Sequence, residues 1–402
     1  MRAQPKESSK EELSPPKLVI FDTHPIQYRS PVFAALNRLA PATQVYFFSD
    51  TFSGKRWWFR EFDKSPRDSF NIPLKKGFTN KTLRYSNPFV FWIAVRKILC
   101  PGRKQDRPTA ALIYGYYLWE HWLIWLQCKL SGTPILFVGE TFSLQGDRWR
   151  GAIKRFILPI LFRTFSQIIT IGKKNRRHYE SLGVSKKRLT EAHYCVDGAF
   201  FELETAVAER ARHQMRERYQ IPCDAFVMLF VGRLFDRKRP EDALEIHRLL
   251  CSSHPSLHTL IVGAGELESH LREAASHTPR LTLTGFLDQR TIRDLYCAAD
   301  CLIVPSQFET WGLVVNEAMH AGIVPVVTDT CGVAGDLVVA GETGVIFKLG
   351  EPESAARQIA GLIDNPRLLR SMANAGKKLV NQEFSVDQFA EAILGALQRT
   401  SR

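Results

Sequence analysis

Residues 305–319 have the sequence Pro-Ser-Gln-Phe-Glu-Thr-Trp-Gly-Leu-Val-Val-Asn-Glu-Ala-Met and follow the apolar, strand-like run 302–304. Two carboxylates, Glu309 and Glu317, stand eight residues apart with Gly312 between them. On one continuous helix, eight residues advance by about 80° beyond two turns, so the spacing alone also fits two solvated neighbours. Gly312 instead favours a loop that carries Glu309 and a helix that carries Glu317.

This arrangement predicts a ligand with both phosphate and hydroxyl groups. Backbone amides at the start of a helix can bind phosphate, and two separately placed carboxylates can bind hydroxyls. A nucleotide-sugar has both kinds of group.

Length and pattern predict two α/β domains. A chain of 402 residues exceeds the usual size of one core, so two domains of about 200 residues are expected. Short apolar runs alternate with amphipathic stretches, which is typical of parallel sheets covered by helices. We predict a disordered tail over 1–16, a first domain over 17–205, a second over 206–385 and a final helix over 386–402 that packs back on the first domain. The predicted strands are Leu18–Phe21, Val45–Phe48, Ala111–Tyr114, Ile135–Val138, Ile168–Ile171, Val227–Val231, His258–Val262, Leu281–Thr284, Cys301–Val304, Val324–Val327 and Val345–Phe347.

The charge is unevenly distributed between the two halves. Residues 1–200 contain 33 lysines and arginines and 15 acids, a net charge of +18, whereas residues 201–402 have a net charge of −5. This asymmetry indicates either an anionic partner for the first half, such as a membrane surface, or simply a solvated basic surface. The aromatic and basic segment 55–60 and an amphipathic helix predicted over 149–165 are candidates for membrane contact, although most such helices face a core.

Cellular location is predicted from cysteine usage and hydropathy. The eight cysteines form no Cys-x-x-Cys pair and no zinc-type cluster, so we expect a reducing compartment and no structural metal. We find no signal-peptide pattern at residues 1–16 and no apolar run long enough to span a bilayer. The protein is expected to be cytoplasmic, with peripheral attachment to the inner face of a membrane as an option.

Further glycines and cations follow strands in the second half. Arg233 and Lys238 come just after a predicted strand, where ligands of open parallel sheets bind, and such cations can hold a diphosphate. Gly263 begins a Gly-x-Gly turn after the next strand, a weak signal by itself because the third glycine of a dinucleotide fingerprint is missing. Gly285 and Phe286 end the following strand, where backbone groups can meet a nucleobase.

The order of these motifs resembles glycosyltransferase family 4, retaining enzymes of the GT-B fold, and covers nearly the whole second half. The resemblance implies two doubly wound Rossmann-like domains that face each other across a cleft, the first binding the acceptor and the second the donor. It implies that Arg233 and Lys238 bind the donor diphosphate and that Glu317 binds the ribose. Glu309 would face the donor sugar, and the backbone of residues 311–313 (Trp311, Gly312 and Leu313) would contact phosphate and sugar oxygens. One departure is Cys331, which stands where the family usually has a first glycine before Gly332.

The acceptor side is predicted in the first half. His24 and Gln27 lie in the sequence His-Pro-Ile-Gln-Tyr after the first strand, which resembles a family 4 subgroup of surface-polysaccharide assembly. His24 is a candidate for binding an acceptor hydroxyl, though a lone histidine is as often structural. Glu140 stands where many family members have a histidine near the donor sugar. Three roles are open for Glu140: a buried acid, a hydroxyl ligand or a general base.

The resulting prediction is a retaining glycosyltransferase that moves a sugar from a nucleotide-diphosphate sugar to a carbohydrate or lipid-linked acceptor. The resemblance implies no metal and no cofactor besides the donor substrate. Two alternatives are a nucleotide-sugar epimerase of similar fold and a non-catalytic basic protein that binds nucleic acid. The second is disfavoured because no nucleic-acid module is recognisable, so we expect no nucleic-acid partner.

Overall fold

The computed structural model describes residues 16–50, 73–85, 87–140 and 157–400. They form two all-parallel sheets, one of seven strands in the order β3-β2-β1-β4-β5-β6-β7 and one of six in the order β10-β9-β8-β11-β12-β13. In each sheet the first strand in sequence lies inside the sheet. The next two strands lie on one side of it and the later strands on the other side, which is the Rossmann strand order. The predicted α/β class with two Rossmann-like domains is confirmed.

The first domain alternates strands and helices from the start. Its elements are β1 (Leu18–Asp22), α1 (Ser30–Leu39), β2 (Gln44–Phe47), β3 (Asn80–Thr82), α2 (Pro88–Leu99), β4 (Ala110–Tyr114), α3 (Trp119–Ser131), β5 (Ile135–Val138), α4 (described over 157–162), β6 (Gln167–Thr170), α5 (Lys173–Ser181) and β7 (Leu189–Glu191).

Two helices lead into the second domain, which repeats the pattern. The elements are α6 (Gly198–Phe201), α7 (Thr205–Arg218), β8 (Phe226–Val231), α8 (Pro240–Leu250), β9 (Leu257–Val262), α9 (Glu268–Ser276), β10 (Leu281–Gly285), α10 (Gln289–Ala298), β11 (Cys301–Val304), α11 (Leu313–His320), β12 (Val324–Thr328), β13 (Val345–Phe347), α12 (Pro352–Asp364), α13 (Pro366–Glu383) and α14 (Val386–Thr400).

All eleven predicted strands are present with bounds within one residue of the prediction. The structure adds β3, α2 and β7, which our sequence analysis did not predict. The predicted disordered tail, apart from its last residue, lies outside the described residues. The same holds for segment 55–60 and the first part of the helix predicted over 149–165.

Each sheet is buried on both faces. In β1, Val19 and Phe21 point to one side, where they pack with apolar residues of α2, α3 and α4. Leu18 and Ile20 point to the other side, into a cluster that continues through the second domain. Strand residues alternate between faces, and sheets covered by helices on both sides therefore have continuous apolar strands.

The last helix crosses back between the domains. α14 follows the second domain in sequence but packs against α1, β6 and β7 of the first. Phe389 of this helix stacks on Tyr194 with ring centroids 6.0 Å apart, and Arg399 donates a hydrogen bond to Thr190.

Candidate active site

The loops that leave β8 and β9 fit together through backbone groups. Gly232 donates its N–H to the carbonyl of Val262 (3.0 Å), and Leu234 donates to Ala264 (3.1 Å). Gly263 has a φ of +145°, and a Cβ added there would collide with the carbonyl oxygen of Gly232. Gly263 is therefore required for the close approach of the two loops.

Two residues that are predicted to bind the sugar donor, Lys238 and Glu309, are in direct contact. The Nζ of Lys238 is ion-paired with Oε1 of Glu309, which also accepts a hydrogen bond from Ser306 (3.4 Å). Gln307 donates its N–H to the carbonyl of Arg237 (2.9 Å), so the loops after β8 and β11 are joined by backbone as well. Arg233 lies half-buried at the carboxyl end of β8.

Glu317 is buried inside α11. This helix begins after Gly312, whose φ of +108° separates it from the loop that carries Glu309. Gln289 donates to Oε1 of Glu317 (3.1 Å) and Tyr296 donates to Oε2 (2.8 Å). Burial raises the pKa of Glu317 to about 7, although both hydrogen bonds oppose the rise. The carboxyl group is thus fixed in place by two donors from α10.

The side chain of Trp311 points away from the loop and into the contact between the domains. It is buried, and its indole N–H donates to Oδ1 of Asn316 (2.8 Å). The amide of Asn316 in turn donates to the carbonyl of Tyr194 in the first domain (2.9 Å). The side chain of Trp311 is therefore not exposed to a ligand at this loop. Leu313, the first residue of α11, is half-buried.

Gly285 and Phe286 lie beside Gly263 at the same sheet edge. Gly263 donates its N–H to the carbonyl of Gly285 (3.0 Å), and Gly285 has a φ of +76°. The ring of Phe286 is 44% exposed. Phe286 thus offers an accessible aromatic surface next to the loops that leave β8 and β9.

The acceptor-side residue Gln27 reaches the second domain. Its amide donates to Oε1 of Gln289 (3.4 Å), and Gln289 donates to Glu317. A single glutamine therefore connects the loop after β1 to the carboxylate predicted to bind ribose. His24 contacts Thr23 through Nδ1 (2.9 Å), and burial together with the charge of Arg29 lowers its pKa to about 4. Its imidazole is neutral at physiological pH.

A buried ion network holds Glu140. Arg29 bonds Asp22 through Nη1 (2.6 Å) and Glu140 through Nη2 (2.7 Å), while Tyr194 donates to the same Oε1 of Glu140 (2.6 Å). The guanidinium also lies 4.7 Å from the ring centroid of Tyr114. Our sequence reasoning missed Arg29 and Tyr194. The available signal was Asp22, an aspartate at the end of an apolar strand, because a carboxylate that is buried there requires a cation nearby.

The loop after β12 contacts both domains. A Cβ on Gly332 would collide with the Thr310 carbonyl oxygen, so this glycine is needed beside the loop after β11. Cys331, the departure from the family pattern, is buried, with its sulfur 3.2 Å from the hydroxyl of Thr328. Asp336 accepts a hydrogen bond from the backbone N–H of Lys173 (2.7 Å) at the start of α5. It thus places a negative charge at the amino end of a helix in the other domain.

Within the described residues, no group of three or more His, Cys, Asp and Glu side chains is arranged to hold a metal ion. None of the helices described is long and apolar enough to cross a bilayer.

Comparison with known proteins identifies the class. Residues 211–379 match the family described as glycosyl transferases group 1. Over 308 residues, 71% of each chain, the protein is 27% identical to a D-inositol 3-phosphate glycosyltransferase of Thermomonospora curvata. It is 31% identical over 168 residues to a glycogen synthase of Mycobacterium tuberculosis, which covers 41% of this chain and 40% of that one.

Solved structures show the same architecture over about 95% of the chain. Anabaena HepE in complex with UDP superposes with a TM-score of 0.73 at 16% identity and covers 95% of this chain and 99% of its own. The sucrose-phosphate synthase of Thermosynechococcus elongatus gives a TM-score of 0.69 at 16% identity, covering 96% and 98%. The protein is a glycosyltransferase of the GT-B fold. These likenesses give no support to the epimerase or the nucleic-acid alternative.

Proposed function

We propose that this enzyme transfers a sugar from a nucleotide-diphosphate sugar to an acceptor hydroxyl with retention of configuration, in polysaccharide or glycolipid biosynthesis. The observation that carries the proposal is the junction of the loops after β8 and β11, where Lys238 is paired with Glu309. The helix that follows this second loop, α11, carries the buried Glu317. Anabaena HepE, a protein of the same fold, was solved with UDP and with UDP-glucose.

The donor diphosphate is held by Arg233 and Lys238 in this proposal. Negative charge builds on the diphosphate as its bond to the sugar breaks, and fixed cations stabilise that charge. The two side chains supply the positive charge that a divalent metal supplies elsewhere, so we propose a metal-independent reaction. Glu317 accepts the ribose hydroxyls, and the exposed ring of Phe286 contacts the base.

In the transfer step, the acceptor oxygen attacks the anomeric carbon on the face from which the diphosphate leaves. The bond from that carbon to the phosphate oxygen breaks, the new glycosidic bond forms, and the acceptor proton moves to a phosphate oxygen. Glu309 positions the sugar and stabilises its developing positive charge. Contact between the two domains excludes water as a competing acceptor.

The acceptor is bound by His24, Gln27 and Glu140. Arg29 and Tyr194 both bond Oε1 of Glu140, and this fixes the carboxylate at the edge of the first sheet, where it can accept a hydrogen bond from a sugar hydroxyl. We assign a second hydroxyl to the neutral imidazole of His24, which can act as a hydrogen-bond donor or acceptor.

We also propose that the enzyme works in the cytoplasm at the inner face of a membrane. The support is the net charge of +18 in residues 1–200, since anionic lipids attract basic surfaces.

A thermal-shift screen of UDP-, GDP- and ADP-sugars tests the donor site. A donor at about 100 times its Kd stabilises the folded state by about 2.7 kcal/mol, which corresponds to a rise of roughly 5–10 °C for a domain of this size. Arg233→Ala and Lys238→Ala should each abolish the shift of the best donor. Arg272→Ala, which removes an exposed cation on α9, should leave it unchanged. Shifts that persist in both site variants would overturn the assignment.

The stereochemical part needs its own measurement. The anomeric configuration of the product, followed by proton NMR from the first turnovers, should match that of the donor. Product of inverted configuration would rule out the same-face mechanism. Activity that survives exhaustive treatment with EDTA is expected, and loss that added Mg²⁺ restores would contradict metal independence.

A further inference from the structure

Three neighbouring helices of the first domain expose large apolar side chains. Of the fifteen exposed large hydrophobic residues in the described part of the chain, nine lie on α2, α3 and α4. We call these nine the outer face: Phe89, Val90, Ile93, Trp119, Trp122, Leu126, Leu130, Ile157 and Ile160. On α3 every exposed position except Lys129 is a tryptophan or a leucine, the reverse of an ordinary surface helix.

The three helices form one continuous surface. α3 lies between the others: Trp119 packs on Phe91 of α2 with ring centroids 5.2 Å apart, and Trp125 donates to Thr164 just after α4 (2.9 Å). The inner sides of the helices cover one face of the sheet, so the outer face is a second apolar layer. A contiguous exposed apolar surface of this kind marks an interaction site.

The charge around the outer face is positive. Arg96, Lys97, Lys129 and Arg163 are exposed near the carboxyl ends of the three helices. Glu120, the one acid in the described parts of these helices, is only 1% exposed. Tryptophans and aliphatic side chains bordered by cations are typical of helices that lie in the interface of anionic membranes. A second copy of this chain would instead bring like charges together.

A cavity of about 490 Å³ opens beside the outer face, between α2 and the strands β1, β2 and β3. It is lined by Lys17, Lys81 and Lys97, by one carboxylate, Asp106, and by Val90 of the outer face. Three cations next to an apolar surface suit the phosphate of a lipid headgroup whose chains contact the outer face.

The outer face borders the acceptor loop. In a parallel sheet with crossover helices, the helices run opposite to the strands, so the amino ends of α2, α3 and α4 lie at the carboxyl edge of the sheet. Tyr117, 42% exposed just before α3, is 5.3 Å from the ring of His121. It is hydrogen-bonded with Thr23, the neighbour of His24.

We propose that the outer face docks onto an anionic phospholipid membrane and thereby brings the acceptor loop to the lipid surface. The acceptor is then a lipid-linked glycan that enters from the membrane side. The docking itself stands on the outer face alone. The lipid-linked acceptor rests on the proposed function.

Co-sedimentation with vesicles tests the docking. The full-length protein should bind phosphatidylcholine vesicles that contain phosphatidylglycerol, and bind more weakly in their absence or at high salt. The triple variant F89S/L130S/I160S changes one strongly exposed side chain on each helix. It should weaken partitioning at least tenfold, because burial of a single such side chain is worth about a factor of ten.

A matched triple variant, L39S/L249S/L368S, changes three exposed leucines outside the outer face and should bind vesicles like the wild type. Wild-type protein that stays in the supernatant, or an outer-face variant that sediments normally, overturns the docking. Concentration-dependent dimers without vesicle binding also overturn it, in favour of a protein interface. The donor-induced thermal shift should be the same in all variants. If the wild type binds vesicles but no nucleotide-sugar, the proposed function fails and the docking stands.

Discussion

The buried carboxyl group of Glu317 should make the protein less stable as the pH rises. Its pKa is raised from 4.5 to about 7, so between these values the folded chain retains a proton that the unfolded chain has lost. Stability falls with pH wherever the folded state binds more protons. The substitution Glu317→Gln should remove this loss, because an amide, like a protonated carboxyl, offers one donor group and one acceptor oxygen.

The size of the effect follows from the shift. One pKa unit corresponds to about 1.4 kcal/mol, so full ionisation of Glu317 costs about 3 kcal/mol in the folded state. Glu317→Gln should therefore be nearly neutral near pH 4.5 and stabilise the protein by up to about 3 kcal/mol at pH 8. For a domain of about 200 residues this is a rise in Tm of roughly 5–10 °C.

The assay is thermal or urea unfolding of the wild type and Glu317→Gln from pH 4.5 to 8, with the difference between them plotted against pH. Glu342→Gln, at an exposed position, controls for the loss of one negative charge and should give a flat difference. The Glu317 variant should also lose most of its donor affinity, since a ribose hydroxyl then meets an amide in place of a carboxylate.

A difference between wild type and Glu317→Gln that does not change with pH would refute this reasoning. So would a variant that is less stable than the wild type at pH 8. Either result would mean that Tyr296 and Gln289 fully compensate the burial of the charge.

Three further substitutions test the remaining contacts. Arg29→Met should destabilise the protein by about 3–5 kcal/mol in urea unfolding, because it leaves the carboxylate of Asp22 buried without its cation. Adding Asp22→Asn to this variant should recover part of the loss, and an unchanged unfolding midpoint in Arg29→Met would contradict the ion network. Gly263→Ala should lower the Tm and abolish donor binding, since its Cβ collides with the Gly232 carbonyl. The free energy of unfolding should fall by roughly 3 kcal/mol or more, and normal stability would show that the loops can separate. Asn316→Ala should cost about 1–3 kcal/mol by leaving a buried indole N–H unpaired, and a neutral result in calorimetry would remove this residue from the contact between the domains.

The strands could be predicted because sheets covered on both faces require continuous apolar runs. β3 has the polar sequence Asn-Lys-Thr and lies at the sheet edge, so no pattern marks it. α2 had a usable signal: Asn87 accepts hydrogen bonds from the first turn and Pro88 follows it. An Asn-Pro pair before an apolar run is a helix start signal.

The candidate site was predictable where it is local in sequence and not elsewhere. Glu309 and Glu317 could be assigned from one stretch, because the glycine between them separates loop from helix. Their partners could not: Gln289 and Tyr296 reach Glu317 only because α10 packs beside α11. The bridge from Arg29 to Glu140 likewise depends on the adjacency of distant strands, which charge and periodicity do not encode.

The return of α14 to the first domain has a practical consequence for dissecting this enzyme. A gene truncated near residue 205 would yield a first half whose α1, β6 and β7 have lost their natural cover. The complementary fragment would carry a helix whose Phe389 and Ile393, both buried in the intact chain, face water. Separate expression of the halves is therefore expected to give aggregates, unless the fifteen residues of α14 are grafted onto the amino-terminal piece.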